Sequence, residues 1–302
     1  MARTRFQPDR GLATRMVITM VLLALLYVGL AAGLYLLFGN ASGFLIWGVL
    51  PIGMLWAQWY YSDTLALKGM RAREVSPADA PELHALVDRL AALADMKKPR
   101  VAISVSDVPN AFATGRSEDR AVVAVTTGLM KRLDEREMEA VLSHELSHIA
   151  HKDVTVMTIA SAVGVIAGFM IRSAMWSSMG RRDQNSAAMF FVFMLIGVVV
   201  YAISFVLTRV LSRYRELAAD RAGAILTGQP AALASALTKI SGDMARIPTR
   251  DLRAAEPYNA FFIYPAFTNK GFDIGSMFAT HPPLDKRLDQ LAKISAELGR
   301  PM

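Results

Sequence analysis

Long apolar runs alternate with amphipathic and charged stretches along the chain. Every residue from Met16 to Phe38 is apolar, Gly or Thr, and a second apolar run covers Phe44 to Tyr61. Two further runs cover Val154 to Ile171 and Ala187 to Leu207. Each run has about the length that an α-helix needs to cross a bilayer. The pattern therefore predicts four transmembrane helices, arranged as two hairpins.

The stretch after the first hairpin has the periodicity of a soluble α+β domain. Apolar residues recur at helical spacing from Leu83 to Leu93, and His84 is placed on the polar face of that helix, at the surface. Three short extended pieces follow, and they predict a small β-sheet. They cover Arg100 to Ser106, Pro109 to Gly115 and Ala121 to Thr126.

Another helix is predicted to begin at Asp134, which forms the pattern of a capping box with Glu137. Apolar residues recur on one face of this helix, and three histidines lie nearly opposite them. The apolar positions are Met138, Leu142, Leu146 and Ile149, and the histidines are His144, His148 and His151. A helix that buries one side and stacks histidines on the other is better explained by a metal than by water.

The chain after the second hairpin is predicted to be mostly helical. A helical segment around Arg213 to Asp220 is broken at residues 228–230, and a helix over Ala231 to Ser241 follows. Residues 246–280 contain many aromatic residues, Pro and Gly, which predicts a long irregular loop. An amphipathic helix is predicted from Leu284 to Leu298.

Composition and charge narrow the classes of protein. The 302 residues carry a net charge of +7, and 53% of them are hydrophobic. The basic residues cluster beside the apolar runs, as around Arg3 and Arg71, so the positive-inside rule explains the charge better than binding to nucleic acid does. Both ends of the first hairpin are therefore expected in the cytoplasm. The chain has no cysteine, so a metal site would have to use His and carboxylate ligands.

The five residues from His144 to His148 read HELSH and form the pattern HExxH. On a helix the two histidines lie one turn apart on the same face. They can bind one zinc ion while Glu145 reaches a water molecule on the metal. Metzincins need another histidine six residues beyond the second, and Val154 occupies that position, so that class is excluded.

The third zinc ligand stays open at this point. His151 shares the face, but its Cα lies roughly 10 Å along the helix axis from that of His144, which favours a neighbour over a ligand. Glu216 is the best remaining donor. Asp220, four residues later, could accept a hydrogen bond from the outer nitrogen of a ligating histidine. The alternative is that both acidic residues lie on a solvated helical face.

Three motifs resemble those of the HtpX-type membrane zinc metallopeptidases, which belong to the gluzincin group together with the CaaX prenyl proteases. The motifs are HELSH from His144, RELAAD from Arg215 and THPPLDKR from Thr280. The N-terminal hairpin and the segment Asn110 to Gly115 also fit, so the resemblance covers nearly the whole chain. It implies one zinc ion per chain, with Glu216 as the third ligand. It also implies a catalytic domain that faces the cytoplasm, in a bacterial inner membrane.

The remaining candidate residues are expected to act around that zinc. Zinc lowers the pKa of its bound water, and Glu145 would accept the proton and deliver it to the leaving amine. His281 is a candidate second donor to the oxyanion, and Arg287 could position either a carboxylate or the His281 loop. A substrate strand could pair with the edge of the predicted sheet. The residues of that edge are Asn110, Ala111, Phe112 and Ala113.

These expectations define a mainly α membrane protein, in which four transmembrane helices accompany an α+β, zincin-like catalytic domain with a small β-sheet. The catalytic domain is expected in two parts, separated by the second hairpin. The boundaries are 1–61 for the N-terminal hairpin, 62–153 for the first catalytic part, 154–210 for the second hairpin and 211–302 for the second catalytic part.

The predicted function is zinc-dependent cleavage of misfolded or damaged membrane proteins at the cytoplasmic face of the bilayer. The resemblance implies a role in quality control and the stress response, beside other membrane proteases and without nucleic acid. A CaaX-type protease that acts on prenylated proteins is one alternative, although that branch usually has more spans. A non-enzymatic membrane protein with a structural zinc is another. It would need His151 or His281 as a fourth ligand and would leave Glu145 without a role.

Overall fold

A computed structural model describes residues 10–38, 50–178, 184–244 and 281–300. The chain divides into two compact units. The first comprises Met1–Ala13, Tyr61–Val154 and Ser212–Met302, and the second comprises Thr14–Tyr60 and Thr155–Leu211. The irregular loop predicted over residues 246–280 lies outside the described residues.

The described elements are mostly helices. In chain order the helices are α1 (Arg10–Phe38), α2 (Leu50–Tyr60), α3 (Ser62–Gly69), α4 (Pro81–Ala94), α5 (Thr127–Met130), α6 (Glu135–Ala150), α7 (Asp153–Ser178), α8 (Gln184–Thr227), α9 (Pro230–Met244) and α10 (Leu284–Glu297). The strands are β1 (Ala72–Glu74), β2 (Arg100–Ser104), β3 (Ala111–Thr114) and β4 (Val122–Thr126).

Three of the described helices are long and apolar enough to cross a membrane. The spans run over Arg10–Leu30, Asp153–Arg172 and Met194–Thr227. The second of the four predicted spans is described only from α2 onward, and its first residues, 44–49, lie outside the described ranges. Both helices of the second predicted hairpin extend beyond their apolar runs, because α7 continues to Ser178 and α8 begins at Gln184.

Small residues let α7 and α8 approach each other closely within the second unit. A Cβ atom added at Gly164 would lie 3.1 Å from Oγ of Ser204, and one at Gly197 would lie 2.8 Å from Cγ1 of Ile171. Thr208 also donates a hydrogen bond of 3.3 Å to the carbonyl of Ala160. Close backbone approach of this kind is how helices pack where burial from water gives no driving force.

The first unit contains a mixed sheet of four strands in the order β1-β2-β4-β3. β2 and β4 are parallel, whereas β1 and β3 pair antiparallel at the two edges. The three predicted strands are confirmed. β1 was not predicted, because three residues are too short to show alternation.

Helices cover both faces of this sheet. On one face Val101, Val123 and Val125 pack into the main core with residues of α4, α6, α9 and α10. On the other face Phe112 and Ala124 pack with Ala66 of α3 in a smaller cluster. Burial on both faces explains why β4, sequence VVAVT, is continuously apolar rather than alternating. The main core thus supports β3 and α6, which carry site residues.

The surface position predicted for His84 is wrong. The residue is only 8% exposed, and its Nε2 lies 3.0 Å from the carbonyl oxygen of Val75. The chain between β1 and α4 runs over this flank of the helix, so a histidine that looks polar on a helical projection is covered. The helix that carries His84 begins at Pro81.

Helix α6 begins with the capping box that the sequence predicts. Oδ1 of Asp134 accepts from the N–H of Glu137 at 2.9 Å, and Oε2 of Glu137 accepts from the N–H of Asp134 at 3.0 Å. The buried carboxylate of Glu137 also accepts from Oγ of Ser235 at 2.7 Å and from Nζ of Lys239 at 2.8 Å. The cap therefore also ties α6 to α9.

Glu137→Gln should lower the free energy of unfolding and make it less dependent on pH in the acidic range. Burial raises the pKa of Glu137, but the hydrogen bonds from Lys239 and Ser235 outweigh it, so the pKa lies below its usual value. A carboxylate with a lowered folded-state pKa stabilises the fold above its unfolded pKa, and this stabilisation is lost as the pH falls through the lowered value. We expect the variant to lose about 1–3 kcal/mol of unfolding free energy at neutral pH.

Chemical unfolding in detergent at several pH values from neutral to below about pH 4 measures both effects. The matched control is Glu135→Gln, one residue into the same helix, where the side chain is 78% exposed. Equal losses in the two variants would show that the Glu137 contacts contribute nothing beyond the helix dipole.

Candidate active site

Helix α6 holds the HExxH residues inside the first unit. It is buried from Glu137 to Ser147, because the sheet packs on one side of the helix and α4 and α9 pack on its other sides. His144 and Glu145 are 1% and 4% exposed, and the side chain of His148 is 15% exposed. Three titratable groups in one buried stretch need compensating partners, and the surrounding elements provide them.

Helix α8 brings Glu216 and Asp220 to this stretch. Its backbone comes close to α6 at Gly223, where an added Cβ atom would lie 2.9 Å from N and 3.1 Å from Cα of His144. Oγ of Ser143 donates to the carbonyl of Gly223 at 3.3 Å. The small residue therefore sets the distance between the two helices that carry the candidate ligands.

The candidate ligand atoms are spaced as one metal ion requires. Nε2 of His144 and Nε2 of His148 are 3.2 Å apart, and the Glu216 oxygens lie 3.7 Å and 3.6 Å from them. Tetrahedral zinc, with bonds near 2.0–2.1 Å, separates its ligand atoms by roughly 3.3 Å. These three residues form a group that could hold a metal ion.

Asp220 and Arg287 lie behind His144. Oδ1 of Asp220 is 2.9 Å from Nδ1 of His144, on the far side of the ring from Glu216. Arg287 donates two hydrogen bonds to the Asp220 carboxylate, from Nε at 2.7 Å and from Nη2 at 2.6 Å. Arg287 therefore contacts a carboxylate, which is one of the two groups that the sequence analysis expected it to position. A carboxylate in this place directs the proton of the imidazole to Nδ1 and leaves Nε2 for a metal.

A second pair, Asp153 and Arg215, lies behind His148, and the sequence reasoning missed it. Nδ1 of His148 hydrogen-bonds Oδ2 of Asp153, and Nη2 of Arg215 forms an ion pair with the same oxygen. The sequence did offer one signal for this contact, because Asp153 is an acidic residue five positions after His148. The contact depends on Lys152, whose φ of 56° lies in the left-handed region and turns the chain between α6 and α7.

The electrostatics of His148 follow from these partners. Burial would lower its pKa, but the hydrogen bond to Asp153 and the carboxylates of Glu216 and Glu145 raise the pKa to about 9. Without a metal, both ring nitrogens of His148 are therefore protonated near neutral pH. A metal that binds Nε2 must displace the proton there.

Glu145 lies between the candidate ligands and strand β3. Burial raises its pKa above the usual value, and the two histidines offset part of that rise. The backbone N–H of Ala113 donates a hydrogen bond to the carboxylate. A buried carboxylate with a raised pKa is suited to accept and return a proton near neutral pH.

β3 pairs on one side only among the described residues. The carbonyl of Asn110 accepts from the N–H of Thr126 at 2.9 Å, so the backbone groups of Asn110 and Phe112 face β4. Those of Ala111 and Ala113 consequently point to the other edge, toward Glu145.

The two remaining histidines have different places. His281 is 6% exposed, and its Nδ1 is 2.9 Å from Oε2 of Glu216, so the structure brings it to the site. His151 is the exposed C-cap residue of α6 and is not a member of the candidate metal group among the described residues.

Gly223→Ala should damage the metal site through the backbone. The added Cβ atom would overlap His144 N and Cα, so α6 and α8 must separate and carry Glu216 away from the histidines. We expect a loss of about 1–3 kcal/mol in stability and weaker zinc binding. Unfolding in detergent and competition with a chelator measure the two effects.

Gly242→Ala in α9 is the matched control, because nothing lies within 4 Å of its added Cβ atom. This variant should be neutral or slightly more stable, as expected for Gly→Ala in a helix. Normal zinc affinity in Gly223→Ala would contradict the role of Gly223 as the helix spacer.

The HExxH helix, a carboxylate from a later helix and a strand beside the glutamate define a metallopeptidase site of the zincin type. The sequence profile described as Peptidase family M48 matches residues 77–295. The chain belongs to this family and is a metalloprotease.

Curated relatives agree with this assignment, and a solved structure is similar in fold. The chain is 56% identical to "Protease HtpX homolog 1" of Streptomyces coelicolor, over 98% of this chain and 97% of that protein. It is 50% identical to "Protease HtpX homolog" of Moorella thermoacetica, over 98% of each. The crystal structure of S. mikatae Ste24p is similar in fold, with a TM-score of 0.55, 19% identity, and coverage of 92% of this chain and 67% of that one. The resemblance to HtpX-type peptidases is confirmed.

Proposed function

We propose that this metalloprotease is an integral membrane zinc endopeptidase, with one zinc ion per chain, that cleaves misfolded or damaged membrane proteins at the cytoplasmic face of a bacterial inner membrane. The observation that carries the proposal is the meeting of His144, His148 and Glu216 beside the buried Glu145. The catalytic domain is formed by residues 62–153 and 211–302. The three apolar helices support a place in the bilayer.

The side chains of the site divide the work of peptide hydrolysis. Zinc, when bound, would act as a Lewis acid that lowers the pKa of its bound water and stabilises the negative charge of the oxyanion. Glu145 accepts the proton of the attacking water and delivers it to the leaving amine. His281, buried next to Glu216, donates a hydrogen bond to the oxyanion as the second donor. Asp220 and Arg287 hold His144 in the orientation and tautomer that a metal needs.

Substrate backbone pairs with the edge of β3. Ala111 and Ala113 direct their N–H and C=O groups to that edge, and an extended peptide placed there lies next to Glu145. Asn110 and Phe112 support the strand by facing β4. Recognition through backbone groups selects for an unfolded segment rather than for a side-chain sequence, which suits a protease that removes misfolded proteins.

Charge supports the orientation of the chain. Arg10 and Arg15 lie at the start of α1, and Lys68, Arg71 and Arg73 follow α2. Basic residues next to spans stay in the cytoplasm, so the N-terminus and the catalytic domain are cytoplasmic. Substrates there are loops of membrane proteins, and other membrane proteases of the same quality-control system are the expected partners.

The test uses the full chain purified in detergent with its metal retained. Zinc per chain and cleavage of a destabilised membrane protein are measured, with the folded form of the same protein as control. We expect stoichiometric zinc, internal cleavage of the destabilised form and no cleavage of the folded form. Removal of zinc by a chelator should abolish cleavage, and added zinc should restore it.

Two results would overturn this function in different ways. Release of only the last residues from a prenylated peptide, with unfolded proteins intact, would instead show CaaX-type activity. Stoichiometric zinc without any hydrolysis would show a structural metal site.

A further inference from the structure

We propose that Asp153, held in place by Arg215, is a positioning residue for His148 and sets the affinity of the site for its metal. The inference rests on the proposed zinc-dependent function. It concerns a carboxylate that lies outside the HExxH pattern and at the first position of α7.

The two candidate histidine ligands have matching surroundings. Each presents Nε2 to the metal position and Nδ1 to an aspartate, and each aspartate is paired with an arginine. The two series are His144–Asp220–Arg287 and His148–Asp153–Arg215. Asp220 contacts Nδ1 of His144, and Asp153 contacts Nδ1 of His148 in the same way.

An aspartate at this position acts on the ring in two ways. It fixes the Nδ1–H tautomer, which frees Nε2, and its negative charge makes the imidazole a stronger ligand. The carboxylate is only 8% exposed and the Arg215 side chain 7%, so neither charge is solvated by water. Arg215 therefore compensates the buried negative charge of Asp153 and keeps the carboxylate directed at His148.

A simpler role would be structural. An acidic residue in the first turn of a helix is favourable, and a buried ion pair could join the start of α7 to α8 without regard to the metal. That role explains Asp153 and Arg215, but it does not explain the hydrogen bond to Nδ1 of His148. It also does not explain the left-handed conformation of Lys152, which places the carboxylate there.

The experiment compares Asp153→Asn, Arg215→Gln and the double variant in the full chain in detergent. Zinc dissociation constants are measured by competition with a chelator, and unfolding of the metal-free chain is followed separately. We expect each single variant to lose both stability and roughly 10–100-fold in zinc affinity. The double variant leaves no unpaired buried charge, so its stability should recover while its zinc affinity stays low.

Asp153→Asn has two reference variants. Asp220→Asn should lose a similar factor in affinity, because it acts on the other histidine. Asp119→Asn should lose nothing, since Asp119 is an exposed carboxylate paired with Lys97. If a single variant does not fold, the double variant still gives the answer.

Parent-like zinc affinity in the double variant would overturn the inference and leave a structural ion pair. In that case the parent still binds zinc, and the proposed function stands. A parent chain that binds no zinc would overturn the proposed function, and this inference with it.

Discussion

Glu145→Gln is expected to abolish peptide hydrolysis while the metal stays bound. Gln has the same shape and can still accept the hydrogen bond from the N–H of Ala113, so the surroundings of the histidines should be preserved. It cannot take a proton from water. Among the described residues, the other carboxylate of the candidate metal group is that of Glu216, which is the proposed third ligand. Loss of a general base typically costs 10²–10⁴-fold.

The measurement is kcat/KM for an unfolded protein substrate together with zinc per chain, in the parent and the variant. Glu139→Gln is the matched control, since it makes the same change six residues earlier on the same helix. Glu139 pairs with Arg89 and Gln229 instead of the site. We expect the control to keep its activity with a small loss of stability.

Each departure from this result has a clear meaning. Retained hydrolysis in Glu145→Gln would refute its role as the base. Loss of zinc along with activity would mean that Glu145 supports the metal site, and the mechanism would then need another base.

Glu216→Ala is expected to lose zinc. Catalytic zinc sites commonly use three protein ligands, and the variant leaves only His144 and His148. The loss of affinity should exceed the roughly 10–100-fold that an outer partner such as Asp220 contributes. Because a metal that binds only the folded state stabilises it, the thermal stabilisation by added zinc should disappear as well.

Zinc per chain after gel filtration with a weak chelator, and the shift of the unfolding midpoint on adding zinc, measure this effect. Glu297→Ala is a suitable control, because Glu297 is an exposed carboxylate of α10 that pairs with Arg221 of α8, the helix that carries Glu216. Unchanged zinc content in Glu216→Ala would assign the third ligand to another histidine. Combining the change with His281→Ala or with His151→Ala would then identify it.

The local elements around the site were predictable because their signals are local. The capping box at Asp134 and the apolar stripe from Met138 define α6, and the break at Gly228 separates α8 from α9. The pairing of Asp220 with a histidine was also accessible, since a helix places residues 216 and 220 on one face.

What the sequence does not show depends on how distant segments meet. The contact of Asp153 with His148 requires a left-handed Lys152, and lysine gives no sign of that conformation. His84 was misplaced because its burial comes from the chain at Val75 and not from its own helix. The residues alone made Glu216 the best remaining donor but left a solvated helical face as the alternative. The family resemblance then implied it as the third ligand.

The arrangement of the ligands also determines when a new molecule can become active. His144 and His148 leave the ribosome on α6, but Glu216 follows only after all of α7 and most of α8 have been made. His281 and Arg287 follow later still. A nascent chain that ends before Glu216 therefore lacks part of the candidate metal site. We expect the protease to cut no neighbouring protein until Glu216 and His281 have been made.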